Sequence, residues 1–305
     1  MNPSDWSADR KLTLPVVRQL IADQFPSLAA STVRRLGEGW DSETFLVDDV
    51  WVLRFPKRRD VVRSLERETV VLGAIAGRLP LPVPVFELFG RPGPAFPYPF
   101  VGYRKLPGRP ASEGASVTMS DADEHEAARL FGAFLTELHR VPLVALPGDL
   151  PHANPAEEGA EDVEAALVQL RAIDRGMACR AAEFLAAPHA DRPSTVHEVL
   201  LHADLLPEHL LLSESTQRLT GVIDWGDLAL GVPAIDFAGP YAWRGRRFAE
   251  LVLAHYQGLV TSRDLDWMRP RVLASGVISA AYGRLAQRSG DVASGLRIIE
   301  LALAA

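Results

Sequence analysis

Apolar residues recur at helical spacing from Leu14 to Phe25, where Pro26 ends the pattern, and this predicts a first helix. Val33–Leu36, Thr44–Val47 and Val50–Phe55 then read as strands, with Gly37 and Gly39 in the turn between the first two. Helical spacing returns over Val61–Leu79, with Val70, Val71, Leu72 and Ile75 as its apolar side. The proline-studded stretch Leu79–Gly90 is unsuited to helix and reads as extended chain. Phe100–Leu106 predicts a strand that runs into Pro107-Gly108-Arg109-Pro110. Beyond it the pattern turns mainly helical. Ser120–Arg140 carries Ala127, Leu130, Phe131, Phe134, Leu135 and Leu138 on one side, and an acidic opening at Glu157–Asp162 leads into a helix to about Ala187. Two short apolar strands, Leu210–Leu212 and Leu219–Ile223, flank a polar turn, and Arg244–Leu259, Asp264–Gly276, Val277–Arg288 and a last segment from Asp291 read as helices.

That order predicts an α+β fold of two lobes. A small, mostly antiparallel β lobe with helices spans residues 1–106, and a larger, mainly helical lobe spans 107–305, with a hinge at about 103–108. A chain of 305 residues is long enough to bury a core in each. The formal net charge of -7 argues against a general nucleic-acid or membrane-surface binder, both of which want a basic face. The single cysteine, Cys179, excludes an internal disulfide and fits a reducing compartment. The N-terminal stretch has no apolar signal core, and no apolar run reaches the roughly 18 residues of a membrane span. The expectation is a cytoplasmic monomer whose partners are a small-molecule substrate and a nucleotide.

The chemistry-bearing residues cluster around the second hairpin. His202-Ala203-Asp204 and His209 precede its first strand, and Asp224-Trp225-Gly226 follows its second. A hairpin of this length brings Asp204, His209 and Asp224 to one end of a small sheet. Kinase catalytic loops read H-R-D-L-x-x-x-N, followed by a hairpin and D-F-G, and the five-residue step from Asp204 to His209 matches that spacing. Phosphoryl transfer to an alcohol needs placement and charge neutralisation. In that reading Asp204 accepts the hydroxyl proton, while His209 and Asp224 hold Mg²⁺ against the phosphates of ATP or GTP. His202 braces the loop, Asp236 anchors its backbone, and Asp227 either completes the metal shell through water or caps the turn. His139 reads as a packed or capping histidine. On the N-terminal side, Gly37, Gly39 and Ser42 form a turn suited to close approach of phosphates. Arg54 stands where kinases keep a strand lysine, with Glu68 as its helix partner, and Lys57 is the alternative phosphate contact. The backbone of Tyr103, Lys105 and Leu106, with Ile223, is the expected surroundings of the base.

At these residues the chain resembles the aminoglycoside phosphotransferase family, nearest the branch of aminoglycoside 2″-phosphotransferases and macrolide phosphotransferases. The shared features are GEGWDS, WVLRFPKR, LPLPVPV, GVIDWGD and a histidine at 209 where most relatives carry asparagine. The resemblance implies a protein-kinase-like fold and nucleotide-dependent phosphorylation of an antibiotic hydroxyl. It also implies GTP as a live alternative to ATP. Imidazole is softer than the ligands Mg²⁺ usually takes, so Mn²⁺ is expected to serve as well. After Asp236-Phe237-Ala238, the 2″ enzymes carry acids, whereas this chain runs Tyr241-Ala242-Trp243-Arg244-Gly245-Arg246-Arg247. Asp227, Tyr241 and Trp243 are therefore candidate substrate contacts, with an acidic wall at Glu157–Glu164 as another source of negative charge. The alternatives are a metabolic kinase of an amino alcohol, sugar or secondary metabolite, and a catalytically inactive nucleotide-binding module.

Overall fold

A computed structural model of the chain describes residues 8–114, 119–153, 160–190 and 197–304. It divides into two compact units. One holds the described residues up to Ala76 together with Val83–Leu106, and the other holds Gly77–Pro82 and the chain from Pro107 onward.

The first unit is a five-stranded antiparallel sheet with two helices. Its elements are α1 (Leu14–Gln24), β1 (Val33–Glu38), β2 (Ser42–Val47), β3 (Trp51–Pro56), α2 (Val61–Ile75), β4 (Phe86–Gly90) and β5 (Phe100–Arg104), with sheet order β1-β2-β3-β5-β4. Side chains alternate across β3. Leu53 and Phe55 enter a core with Val17, Leu20 and Ile21 of α1, and Phe55 stacks on Phe100 at 4.4 Å between ring centroids. Val52 packs on the other side with Leu46 and Tyr103. Arg54, one position from Phe55, is thereby turned away from the phenylalanine core and meets α2 through Glu68. The helix expected to reach Leu79 stops at Ile75, because Ala76 leaves the helical region and Gly77 adopts φ +73°.

The second unit begins with a two-residue strand, β6 (Arg109–Pro110), and α3 (Asp121–His139), whose Ser120 side chain caps the helix by accepting from the Asp123 amide. The single long helix expected up to Ala187 is two, α4 (Ala160–Arg171) and α5 (Arg175–Ala186), split where Asp174 caps the second through the Met177 amide at 2.8 Å. Then come β7 (Val199–Leu201), β8 (Leu210–Leu212), β9 (Leu219–Val222) and β10 (Ala229–Gly231). β6-β8-β9 form one small sheet and β10-β7 another. Val222 also donates its amide to the Pro82 carbonyl, which ties residues 77–82 to this unit. The expected helix Arg244–Leu259 is α6 (Ala238–Arg244) and α7 (Arg246–Ala254), broken by Gly245 at φ +84°. The two helices expected between Asp264 and Arg288 are one, α8 (Ser262–Leu285), followed by α9 (Ser289–Leu303). Gly276 does not end a helix. A Cβ there would meet the Gly295 carbonyl and Ile298 at 3.0 Å, so this glycine lets α8 and α9 lie close together. No helix among the described residues is long and apolar enough to cross a membrane.

Phe55→Ala would empty the centre of the phenylalanine cluster. We expect a loss of about 3–5 kcal/mol, read as a lowered thermal unfolding midpoint.

Candidate active site

The hairpin β8–β9 brings together the residues on either side of it. His209 ends a 3-10 turn (Pro207–His209) and Ile223 follows β9; the Ile223 amide donates to the His209 carbonyl at 2.9 Å. This bond sets the two ends in register. The His209 ring then lies between two carboxylates. Nδ1 is 2.8 Å from the Asp204 carbonyl and 3.3 Å from Asp204 Oδ2, and Nε2 is 3.5 Å from Asp224 Oδ2. Burial pushes the His209 pKa down, but Asp204, Asp224 and Glu208 outweigh it and raise it to about 9. The ring is therefore cationic at neutral pH in the metal-free protein. Asp224 is half exposed.

Three further features hold this loop. Asp236 accepts the amides of His202 at 3.0 Å and of Ala203 at 2.9 Å. His202 is fully buried, which lowers its pKa and keeps the ring neutral. Its Nε2–H donates to the Ile223 carbonyl at 3.1 Å, and Nδ1 accepts the Asp204 amide at 3.2 Å. The ring also packs on Trp225, whose indole N–H donates to the Val222 carbonyl. Ala203 takes φ +67° and Asp224 φ +61°. Both residues flanking the site thus sit in the left-handed region, which costs about 1–3 kcal/mol each and persists only where surroundings impose it.

In the other unit, Arg54 Nη1 donates to Glu68 Oε1 at 2.5 Å, with both side chains buried. The glycine turn closes through the Gly39 amide to the Ser42 carbonyl at 2.9 Å. Lys57 fastens it: its buried ammonium donates to the Gly39 carbonyl at 3.2 Å and pairs with Glu38 at 3.0 Å. Neither Gly37 nor Gly39 has positive φ, and a Cβ on either would meet nothing closer than 3.5 Å. The chain's own packing therefore does not require glycine here.

A model of the phosphotransferase enzyme family matches residues 32–271. The chain belongs to that family. The β8–β9 hairpin and the Arg54–Glu68 pair both lie inside the matched span. Among curated proteins, it is 30% identical over 128 residues to an aminoglycoside 3′-phosphotransferase of Streptomyces fradiae, a stretch covering 39% of this chain and 48% of the relative. The chain thus spans about half the length of the curated relatives it matches. Among solved structures, the GDP complex of wild-type aminoglycoside 2′-phosphotransferase-IIIa is 26% identical, with TM-score 0.71 and coverage of 96% and 99% of the two chains. A macrolide 2′-phosphotransferase of Brachybacterium faecium, 23% identical with TM-score 0.60, covers 93% of this chain and 98% of that one and shares the fold. The α+β architecture read from the sequence is that of these family members.

Of the remaining sequence candidates, Tyr103 is buried in the sheet core, and the Lys105 amide donates to the Val50 carbonyl, so that amide is already used within its unit. Tyr241 and Trp243, expected as substrate contacts, lie in packed surroundings. Tyr241 is fully buried, and Trp243 packs edge-on against Phe248. The arginines beside them are engaged too, Arg244 with Glu124 and Arg246 with Glu250 and Asp266. The run after Asp236 is a packed helix pair, so its aromatic residues build the core. Asp227 is exposed at the turn before β10. In the acidic wall, Glu157 and Glu158 lie outside the described residues. Glu208 was not anticipated: burial raises its pKa against the pull of His209, and only its place next to His209 hints at a role.

Removing the Arg54 guanidinium would leave Glu68 as a buried charge without its partner. Arg54→Ala is expected to destabilise the protein by about 3–5 kcal/mol, and Arg54→Lys by clearly less, as read by denaturant titration.

Proposed function

We propose that this chain transfers the γ-phosphoryl group of a nucleoside triphosphate to a hydroxyl of an antibiotic of the aminoglycoside or macrolide kind. The observation that carries the reading is the convergence of Asp204, His209 and Asp224 at one end of the hairpin. Asp204 is the general base: it takes the proton of the acceptor hydroxyl as the oxygen attacks phosphorus and the β–γ bridging bond breaks to release the nucleoside diphosphate. The backbone bonds from Asp236 hold the loop bearing that carboxylate in place.

His209 and Asp224 fit a divalent cation. His209 Nδ1 is occupied by the Asp204 carbonyl, which turns Nε2 toward the half-exposed Asp224 carboxylate. Among the described residues there is no cluster of three His, Cys, Asp or Glu side chains able to hold a metal alone. Two protein ligands suit Mg²⁺, which usually completes its shell with water and substrate phosphates. Such a cation neutralises charge that develops on the transferred group.

In the other unit, Arg54 supplies a fixed positive charge for the phosphates, pre-oriented by Glu68, and the glycine turn leaves room beside its backbone. The backbone of Tyr103–Leu106 is the proposed place of the base. The solved relative with TM-score 0.71 is a GDP complex, and another at 26% identity and TM-score 0.68 holds GDP and kanamycin. These support a guanine nucleotide as donor and an aminoglycoside as the first acceptor to test.

The test is nucleotide consumption with ATP and GTP separately, against aminoglycosides, macrolides and small alcohols. Turnover with an antibiotic that falls by about 10²-fold or more in Asp204→Ala, with nucleotide binding retained, is the expected result. Near-full turnover in Asp204→Ala would remove the general-base role, and turnover only with small alcohols would move the assignment to a metabolic kinase. Because His209 presents nitrogen, Mn²⁺ should support turnover alongside Mg²⁺. Activity with Mg²⁺ that is absent with Mn²⁺ would count against His209 as a direct ligand.

A further inference from the structure

The carboxylate that holds the catalytic loop is itself held. Besides the amides of His202 and Ala203, Asp236 Oδ2 lies 3.1 Å from His139 Nε2, and His139 Nδ1 lies 2.8 Å from the Tyr256 hydroxyl. Asp236 and the His139 side chain are almost wholly buried, and Tyr256 packs edge-on against both His139 and Phe237. A carboxylate only accepts, so His139 Nε2 carries a proton toward Asp236, and Nδ1 is left to pair with the tyrosine hydroxyl. One continuous chain of hydrogen bonds thus runs from Tyr256 through His139 to Asp236.

The segment that brings Tyr256 there is fastened to α3 on both sides. The Gln257 amide donates to Thr136 Oγ1 at 3.0 Å, and Arg140 donates to Gln257 Oε1 at 2.8 Å. Gly132 permits the approach: a Cβ at this position would meet His255 Cβ and the Val252 carbonyl at 2.8 Å.

We propose that Tyr256 is a positioning residue for Asp204, acting by fixing the orientation of the His139 ring whose Nε2–H orients Asp236 and thereby the backbone of residues 202–204. The inference rests on the reading of Asp204 as the general base and extends it to a side chain beyond the loop. Without the hydroxyl, Nδ1 loses its hydrogen-bond partner inside the core, and the ring is free to tilt and draw its Nε2–H away from Asp236 Oδ2. Asp236 would turn, and the two loop amides would lose their acceptor geometry.

The test combines amide hydrogen exchange with steady-state kinetics on the full chain. Tyr256→Phe is expected to speed exchange of the His202 and Ala203 amides and to lower kcat by about tenfold with KM for nucleotide and acceptor unchanged, at the low end of the ~10- to 100-fold effects typical of outer partners. His139→Gln keeps an N–H near the Nε2 position and should retain most activity, whereas His139→Asn, too short to reach Asp236, should behave like Tyr256→Phe or worse. In the His139→Gln background, adding Tyr256→Phe should have little further effect, since the residue it locks is gone. If Tyr256→Phe does not fold, the His139→Gln and His139→Asn pair carries the same comparison. Unchanged exchange at residues 202–203 and unchanged kcat in Tyr256→Phe, with or without a lower unfolding temperature, would overturn the proposal. Failure of the general-base reading shows differently, as turnover surviving in Asp204→Ala, and leaves the exchange result standing.

Discussion

The arrangement of the larger unit depends on one carboxylate. Asp236 accepts two consecutive backbone amides and one imidazole N–H, and these donors come from the catalytic loop and from the end of α3. Charge-assisted bonds of this kind are roughly twice as strong as neutral ones, and a buried acceptor deprived of its donors is costly. The left-handed backbone at Ala203 exists because Asp236 holds its amide. The orientation of Asp204, and with it the His209 ring and the reach toward Asp224, follows from that backbone. Gly239 belongs to the same construction: a Cβ there would meet the Leu205 carbonyl at 2.4 Å, so the helix after Asp236 can seat directly against the loop.

How much of this could be read from the sequence depends on how far apart the partners lie. The hairpin motif is local, and its spacing alone places Asp204, His209 and Asp224 together. Arg54 and Glu68 are separated by a strand, a turn and two helical turns, and the alternation of β3 suffices to pair them. The His139–Tyr256 and His139–Asp236 bonds join residues 117 and 97 positions apart, and nothing local distinguishes this histidine from one that merely packs. Helix boundaries failed for the same reason. Gly245 breaks a helix and Gly276 does not, because the first takes positive φ whereas the second meets a neighbouring helix. Burial was also invisible: Tyr241 and Trp243 follow a motif rich in function, yet they serve as core.

The smaller unit shows a consistent handling of charge. Arg54 is matched by Glu68, Lys57 by Glu38 and Arg58 by Asp41, so these three basic side chains near the glycine turn are each paired with a carboxylate. Removing a charge from water is expensive unless a partner is close, and the buried positions of Arg54 and Lys57 require such partners. In the proposed function, a phosphate arriving here would share these cations with carboxylates already present. Orientation, more than bare electrostatic attraction, is what the pairing provides.

The left-handed conformation of Ala203 also narrows the evolutionary paths open to the loop. Glycine, asparagine or aspartate enters this region readily, and alanine tolerates it, but a β-branched side chain does not. A change from alanine to valine or threonine at 203 is opposed by backbone sterics alone. Change at this end of the hairpin is therefore channelled away from the residue next to Asp204 and onto positions where the backbone is free of that restraint.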